Sequence, residues 1–169
     1  MAELSKFPFS LQMYEQEAKV RGLYLTVCCD VERILSDIMA KCELDDISLR
    51  EHYKSYLPFE MGAKLKMCKD VLERYNAEYY KFFTPEFEAF EELLKYRDML
   101  AHGFTDYDDN QQDKTFIDFY WVTGTKKNRI WNKEKVIIKP FVMKMLKYRE
   151  HVMQLMKLLS ALSNERGHQ

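Results

Sequence analysis

The chain has 169 residues, 47% hydrophobic and 31% charged, with a formal net charge of -1. That is one domain's worth of ordinary globular composition, long enough to bury a core without disulfides or metal, and it excludes a disordered chain. The near-zero charge excludes a global field that recruits nucleic acid or membrane, so any such attraction has to be local.

The opening Met1-Ala-Glu-Leu-Ser-Lys lacks the basic start and apolar stretch of a secretory signal. No apolar run approaches about 18 residues, so no membrane span is expected. The cysteines, Cys28, Cys29, Cys42 and Cys68, form no CxxC pair, and no histidine stands at finger spacing from them. The expectation is buried, reduced thiols in a cytoplasmic protein with no metal and no cofactor.

The first helix is expected from Ser10, a good N-cap, to Lys41, with Leu11, Tyr14, Ala18, Leu25, Cys28, Leu35 and Met39 facing inward. Gly22 inside it marks a bend or a close helix contact. Residues 42–48 read as a loop and 49–57 as a short helix. The next helix runs from Pro58 to Tyr75 with Leu65, Cys68, Val71, Leu72 and Tyr75 inward. Tyr79, Tyr80, Phe82 and Phe83 make an aromatic connector. Thr84-Pro85-Glu86 then reads as a helix start, and that helix ends at His102, where Gly103 supplies a left-handed residue.

An acidic loop, 105–114, comes next. Asp106, Asp108 and Asn110 imitate a calcium loop, but Gln111 and Ile117 stand where glycine and the bidentate glutamate belong, so calcium is not expected. Three β-prone runs follow, Phe116–Val122, Arg129–Trp131 and Val136–Ile138, with Thr123-Gly124-Thr125 as a turn. The last helix, from Pro140 to Ser163, carries the apolar stripe Phe141, Met145, Tyr148, Val152, Leu155, Leu159, Leu162. The fold class is therefore mainly α: one domain over 1–169, a bundle of four to five helices with a small β-hairpin or meander at about 115–139 before the last helix.

One helix carries an anomaly. Its stripe Phe87, Phe90, Leu94, Arg97, Ala101 puts an arginine where a leucine belongs, which asks for a cleft or a subunit interface. His102 lies five residues on, about 140° around the helix, so the two are not on one face. Asp98 is four residues before His102 and can orient its imidazole. An oriented histidine moves protons and an arginine meets developing phosphorane charge, which suits phosphoryl chemistry. The plainer reading is dipole complementation at a helix C-terminus and an ordinary i,i+4 pair.

Arg97-Asp-Met-Leu-Ala-His102, closing a helix in a small bundle, resembles the Arg-x(4–6)-His signature of the HEPN superfamily. The resemblance covers about two-thirds of the chain and leaves out the β excursion. It implies a homodimer in which Arg97, Asp98 and His102 of both protomers meet in one cleft, and a metal-independent endoribonuclease of a toxin or defence type, with an RNA substrate and a cognate antitoxin as partners. It equally implies a second reading, a non-catalytic HEPN-like module for dimerisation or partner binding. One toxin subgroup has a tyrosine two residues after the histidine; Phe104 stands there.

Lys126, Lys127, Arg129, Lys133 and Lys135, with Trp131 among them, form a basic run able to follow an RNA backbone and stack bases; the plain alternative is a solvated hairpin. Residues 86–113 are correspondingly acidic. His52, His151 and His168 have no partner pattern, and His151 reads as a rim residue of the last helix. The chain holds no GxSxG, P-loop, GxGxxG or HExxH.

Overall fold

The computed structural model describes residues 7–43, 60–105 and 115–166. Of the expected loop 42–48, Cys42 and Glu43 belong to the first helix, and of the acidic loop 105–114, Thr105 belongs to a strand; residues 44–48 and 106–114, the short helix 49–57, the Pro58 helix start, His52 and His168 lie outside the described residues. The chain is mainly helical, with a small three-stranded antiparallel sheet before its last helix. In order the elements are α1 (Phe7–Glu43), α2 (Met61–Tyr75), α3 (Ala77–Leu94), α4 (Arg97–His102), β1 (Phe104–Thr105), β2 (Phe116–Gly124), β3 (Arg129–Ile137) and α5 (Ile138–Arg166). Two compact units are distinguishable: Met1–Thr26 with Lys95–Leu146, and Val27–Leu94 with Lys147–Gln169.

In the first unit, β2 pairs antiparallel with both β1 and β3, giving the order β1-β2-β3. The hairpin between β2 and β3 depends on Gly124, whose φ of 94° is left-handed and whose added Cβ would overlap the Asn128 carbonyl. Strand alternation buries Ile117 and Phe119 of β2 and Val136 of β3. Met13, Val20 and Tyr24 of α1, Met99 and Leu100 of α4, and Phe141 and Met145 of α5 are also buried. The two β runs expected at 129–131 and 136–138 are one strand: Asn132 to Lys135, too polar to read as strand alone, pair across to Trp121, Tyr120, Phe119 and Asp118.

The second unit is built from helices. Asn76 ends α2 and caps α3: its N–H donates to the Leu72 carbonyl at 2.8 Å, and its Oδ1 accepts from the N–H groups of Glu78 and Tyr79, both at 3.1 Å. The expected aromatic connector is therefore the first turns of α3, and Pro85 lies inside the helix instead of opening it. A mid-helix proline removes one backbone bond and costs about 3 kcal/mol. Burial of Phe83, Phe87, Phe90 and Leu93, on both sides of Pro85, offsets that cost. Leu65, Cys68, Val71 and Leu72 of α2 are buried as their spacing predicts, whereas Tyr75 is exposed.

Helix α1 buries Met13, Val20, Tyr24, Val27, Val31, Ile34, Leu35, Ile38 and Met39, while Tyr14, Ala18 and Leu25 of the expected stripe are exposed. A helix this long contains several apolar stripes, and packing selects among them. Gly22 makes neither a bend that breaks the helix nor a close contact: nothing lies within 4 Å of where its Cβ would be. In α5 the expected stripe is buried, except that Leu158 takes the place of the half-buried Leu159. Among the described residues no helix is long and apolar enough to cross a membrane. Cys42 and Cys68 are buried, but Cys28 is half-buried and Cys29 exposed.

Candidate functional site

The motif residues lie on α4, in the first unit, and both ends of this short helix are held. At its start, Leu100 N–H donates to the Tyr96 carbonyl at 2.9 Å. The Tyr96 ring meets Phe141 edge-on at 5.7 Å, and its hydroxyl accepts from Lys144 at 2.8 Å. At its end, Gly103 N–H donates to the Met99 carbonyl at 2.9 Å. Gly103 is not the left-handed residue expected: its φ and ψ are -69° and 154°. It is required for space, because a Cβ there would overlap the Met99 carbonyl and press on the carbonyl of Tyr120.

The strongest anchor comes from α1, and the sequence reading does not single it out. Arg21 donates through its guanidinium to the Leu100 carbonyl, and to the Gly103 carbonyl at 2.6 Å. Its Nε pairs with Glu17 Oε1 at 2.7 Å, and its planar group lies 5.0 Å from the Phe119 ring centroid. Glu17 Oε2 in turn accepts from the Thr105 hydroxyl at 2.7 Å. A cation thus meets the carbonyls left open at a helix C-terminus, where the helix dipole is negative. The two carbonyls bracket His102 in the chain, so the Glu17–Arg21 clamp fixes the backbone that carries the imidazole. The signal in the sequence is the i,i+4 spacing of a Glu and an Arg beside buried Val20 and Tyr24.

Arg97, Asp98 and His102 are all exposed. The expectation that Arg97 interrupts an apolar stripe is overturned. A turn at Lys95–Tyr96 ends α3 before α4 begins, Ala101 of the expected stripe is exposed, and α4 buries Met99 and Leu100 instead. At about 100° per residue, these two point inward; Arg97 and His102 flank the outward direction, about 140° apart, with Asp98 and the small Ala101 between them. Arg97 and His102 are separated by about 7.5 Å along the axis. The two groups therefore border one solvent-facing surface, and the hydrophobic pattern makes no demand for a second subunit. Within the single chain, no hydrogen bond joins Asp98 to His102 among the described residues.

The basic run falls on β3 and its turn: Lys126, Lys127, Arg129, Trp131, Lys133 and Lys135 are all exposed. Lys133 donates to Asp118 at 2.8 Å and stands 5.0 Å over the Tyr120 ring. The Asp118 hydrogen bond first, and Tyr120 second, raise its pKa above the ordinary lysine value. Among the described residues no three His, Cys, Asp or Glu side chains converge as a metal group would. In the second unit a cleft of about 700 Å³ is lined by Phe82, Phe83, Leu158 and Lys157 among others, and it holds none of the motif residues. Here too His151 is half-buried, its Nδ1 3.6 Å from Glu86.

The chain matches no protein-family model, no curated protein and no solved structure.

Proposed function

We infer that this protein is a metal-independent endoribonuclease of HEPN type, with a composite active site formed by two copies of α4 at a homodimer interface. The observation that carries the reading is the exposed surface of α4, on which Arg97 and His102 border a strip narrowed only by Ala101 and Asp98. A six-residue helix anchored at both ends by Tyr96 and Arg21 holds such groups on a rigid element. The imidazole of His102 takes the proton of a ribose 2′-hydroxyl, whose oxygen attacks the adjacent phosphorus. The Arg97 guanidinium stabilises the charge of the phosphorane, and the partner copy's imidazole protonates the leaving 5′-oxygen. Asp98, one turn below His102, orients the ring and stabilises its charged form once the cleft is closed. The products are a 2′,3′-cyclic phosphate and a 5′-hydroxyl. A toxin or defence role, with an antitoxin covering the cleft, and a cytoplasmic location follow from the same reading.

The second reading is a non-catalytic module that uses α4 to dimerise or to hold a partner. It is favoured by the absence, among the described residues, of a hydrogen bond from the His102 ring to the Asp98 carboxylate. Incubating RNA with the protein, with Arg97→Ala and with His102→Ala, all in excess EDTA, separates the two. Cleavage by the parent alone, ending in cyclic phosphates, supports the nuclease. Identical traces from all three leave only the module.

A further inference from the structure

The outer face of the three-stranded sheet has a chemistry that differs from its buried face. Antiparallel register puts directly paired residues on one side: Phe104 with Tyr120, Tyr120 with Lys133, Val122 with Trp131, Asp118 with Lys135 and Phe116 with Ile137. The opposite side carries the buried Ile117, Phe119 and Val136. On the outer side, Trp131 is 68% and Phe104 52% exposed, proportions that leave ring faces bare. Phe104 lies nearly parallel to Tyr120, with centroids 5.5 Å apart and planes at 18°, and Trp131 meets Phe104 edge-on at 6.2 Å. Cations ring these aromatics. Lys133 stands over Tyr120, Lys135 lies 3.9 Å over Phe116, and Arg129 pairs with Gly124 at the hairpin end, where Lys126 and Lys127 follow the turn. The one acid on these paired outer positions, Asp118, is bridged to Lys133; Glu134 alternates to the other side.

We propose that this face is a base-stacking platform for unpaired RNA, with Phe104 and Trp131 receiving bases, Tyr120 backing Phe104, and the flanking lysines and Arg129 following the phosphates. The proposal rests on the nuclease reading for the choice of RNA over DNA, and it adds the substrate class. Bare ring faces accept single bases from any sequence, whereas bases within a duplex are stacked on each other and unavailable to them. A second copy of the chain fits poorly: a two-fold contact through this face would set lysines against lysines, and charged residues are depleted from the cores of protein interfaces. Position joins the platform to the motif. Phe104 is two residues from His102, so their Cα atoms are at most about 7.6 Å apart. A base stacked on Phe104 therefore brings its own ribose and phosphate to the imidazole.

The test measures binding apart from cleavage. Fluorescence anisotropy with a labelled, unstructured oligouridylate is read on the His102→Ala protein, which removes the proposed base, alongside a duplex RNA of equal length and an oligodeoxythymidylate. The single strand is expected to bind more tightly than the duplex, and Trp131→Ala and Phe104→Ala are each expected to weaken it about tenfold or more. Trp131→Phe retains most of the affinity, which sets stacking apart from a loss of structure. Lys126→Glu with Lys127→Glu flattens the salt dependence. The deoxy strand binds comparably and, with the parent protein, inhibits without being cut. Equal binding of duplex and single strand, or unchanged binding in both aromatic variants, overturns the platform. A dimer that dissociates on Trp131→Ala also overturns it, by showing the face to be a protein interface. Cleavage that persists without the platform sinks only the platform; binding intact in the absence of any cleavage sinks only the nuclease.

Discussion

Replacing Arg21 with alanine is expected to destabilise the protein by about 3 kcal/mol, and the figure can be worked from its contacts. Two charge-assisted bonds, to the Leu100 and Gly103 carbonyls, are lost; each contributes about 1.5 kcal/mol at the low end of the range for charged groups, appropriate to a side chain 21% exposed. The contact with Phe119 adds about 0.5–1 kcal/mol. Solvent entering the gap recovers part of this, while Glu17, 14% exposed, loses the Arg21 cation and retains its bond from the Thr105 hydroxyl. Urea unfolding followed by far-ultraviolet circular dichroism reads the change directly: with a slope of about 2 kcal/mol per molar, the midpoint falls by about 1.5 M. Arg21→Lys, which supplies a point charge but no fork, falls between parent and alanine. Hydrogen exchange localises the effect, since the Gly103 amide, bonded to the Met99 carbonyl, loses protection ahead of the amides of α3. An Arg21→Ala protein with the parent's midpoint and the parent's exchange at Gly103 refutes the clamp.

Three further outcomes follow from single positions. Gly22→Ala removes a helix-interior glycine with open space around it, so it stabilises by about 1 kcal/mol; a melting temperature at or below the parent's contradicts the open site. Lys64 is buried, with Nζ 3.5 Å from Glu32 Oε2, and Lys64→Met, which fills the same volume without a charge to desolvate, leaves stability unchanged or raised, while Lys64→Ala costs about 2–4 kcal/mol. A thermal scan in which both variants fall equally refutes that account. Alkylation with iodoacetamide at pH 8 modifies exposed Cys29 in the folded protein and Cys68 only after unfolding. Burial first, and then neighbouring Cys42, push the Cys68 thiol well above its usual pKa, so the reactive thiolate is scarce at that pH; mass spectrometry showing Cys68 labelled first sinks the argument.

The α5 stripe and the inward set of α2 were legible because their apolar residues recur at helical spacing with few competitors. The turn at Gly124 was legible because glycine is the residue that reaches φ of 94° without strain. The stripe of α1 is not legible: Tyr14 and Leu25 are as apolar as Met13 and Tyr24, and periodicity alone does not say which side is buried. Pro85 suggests a start because proline ordinarily begins helices, while the capping bonds of Asn76 and the buried phenylalanines on both sides outweigh it. In the site, the Arg97–His102 spacing and the basic run of β3 were visible in the letters. The stack of Phe104 on Tyr120 was not, since the two residues belong to strands whose register is decided by pairing.

By itself the amino-acid order determined the mainly helical class, the sheet before the last helix and the presence of an arginine and a histidine five residues apart, because these depend on local periodicity and turn chemistry. Only the tertiary structure decided that Arg97, just after a turn at Lys95–Tyr96, is exposed, and that a guanidinium from residue 21 closes the helix carrying His102. Those two facts turn on where segments distant in sequence come to rest, and no pattern within either segment contains that information.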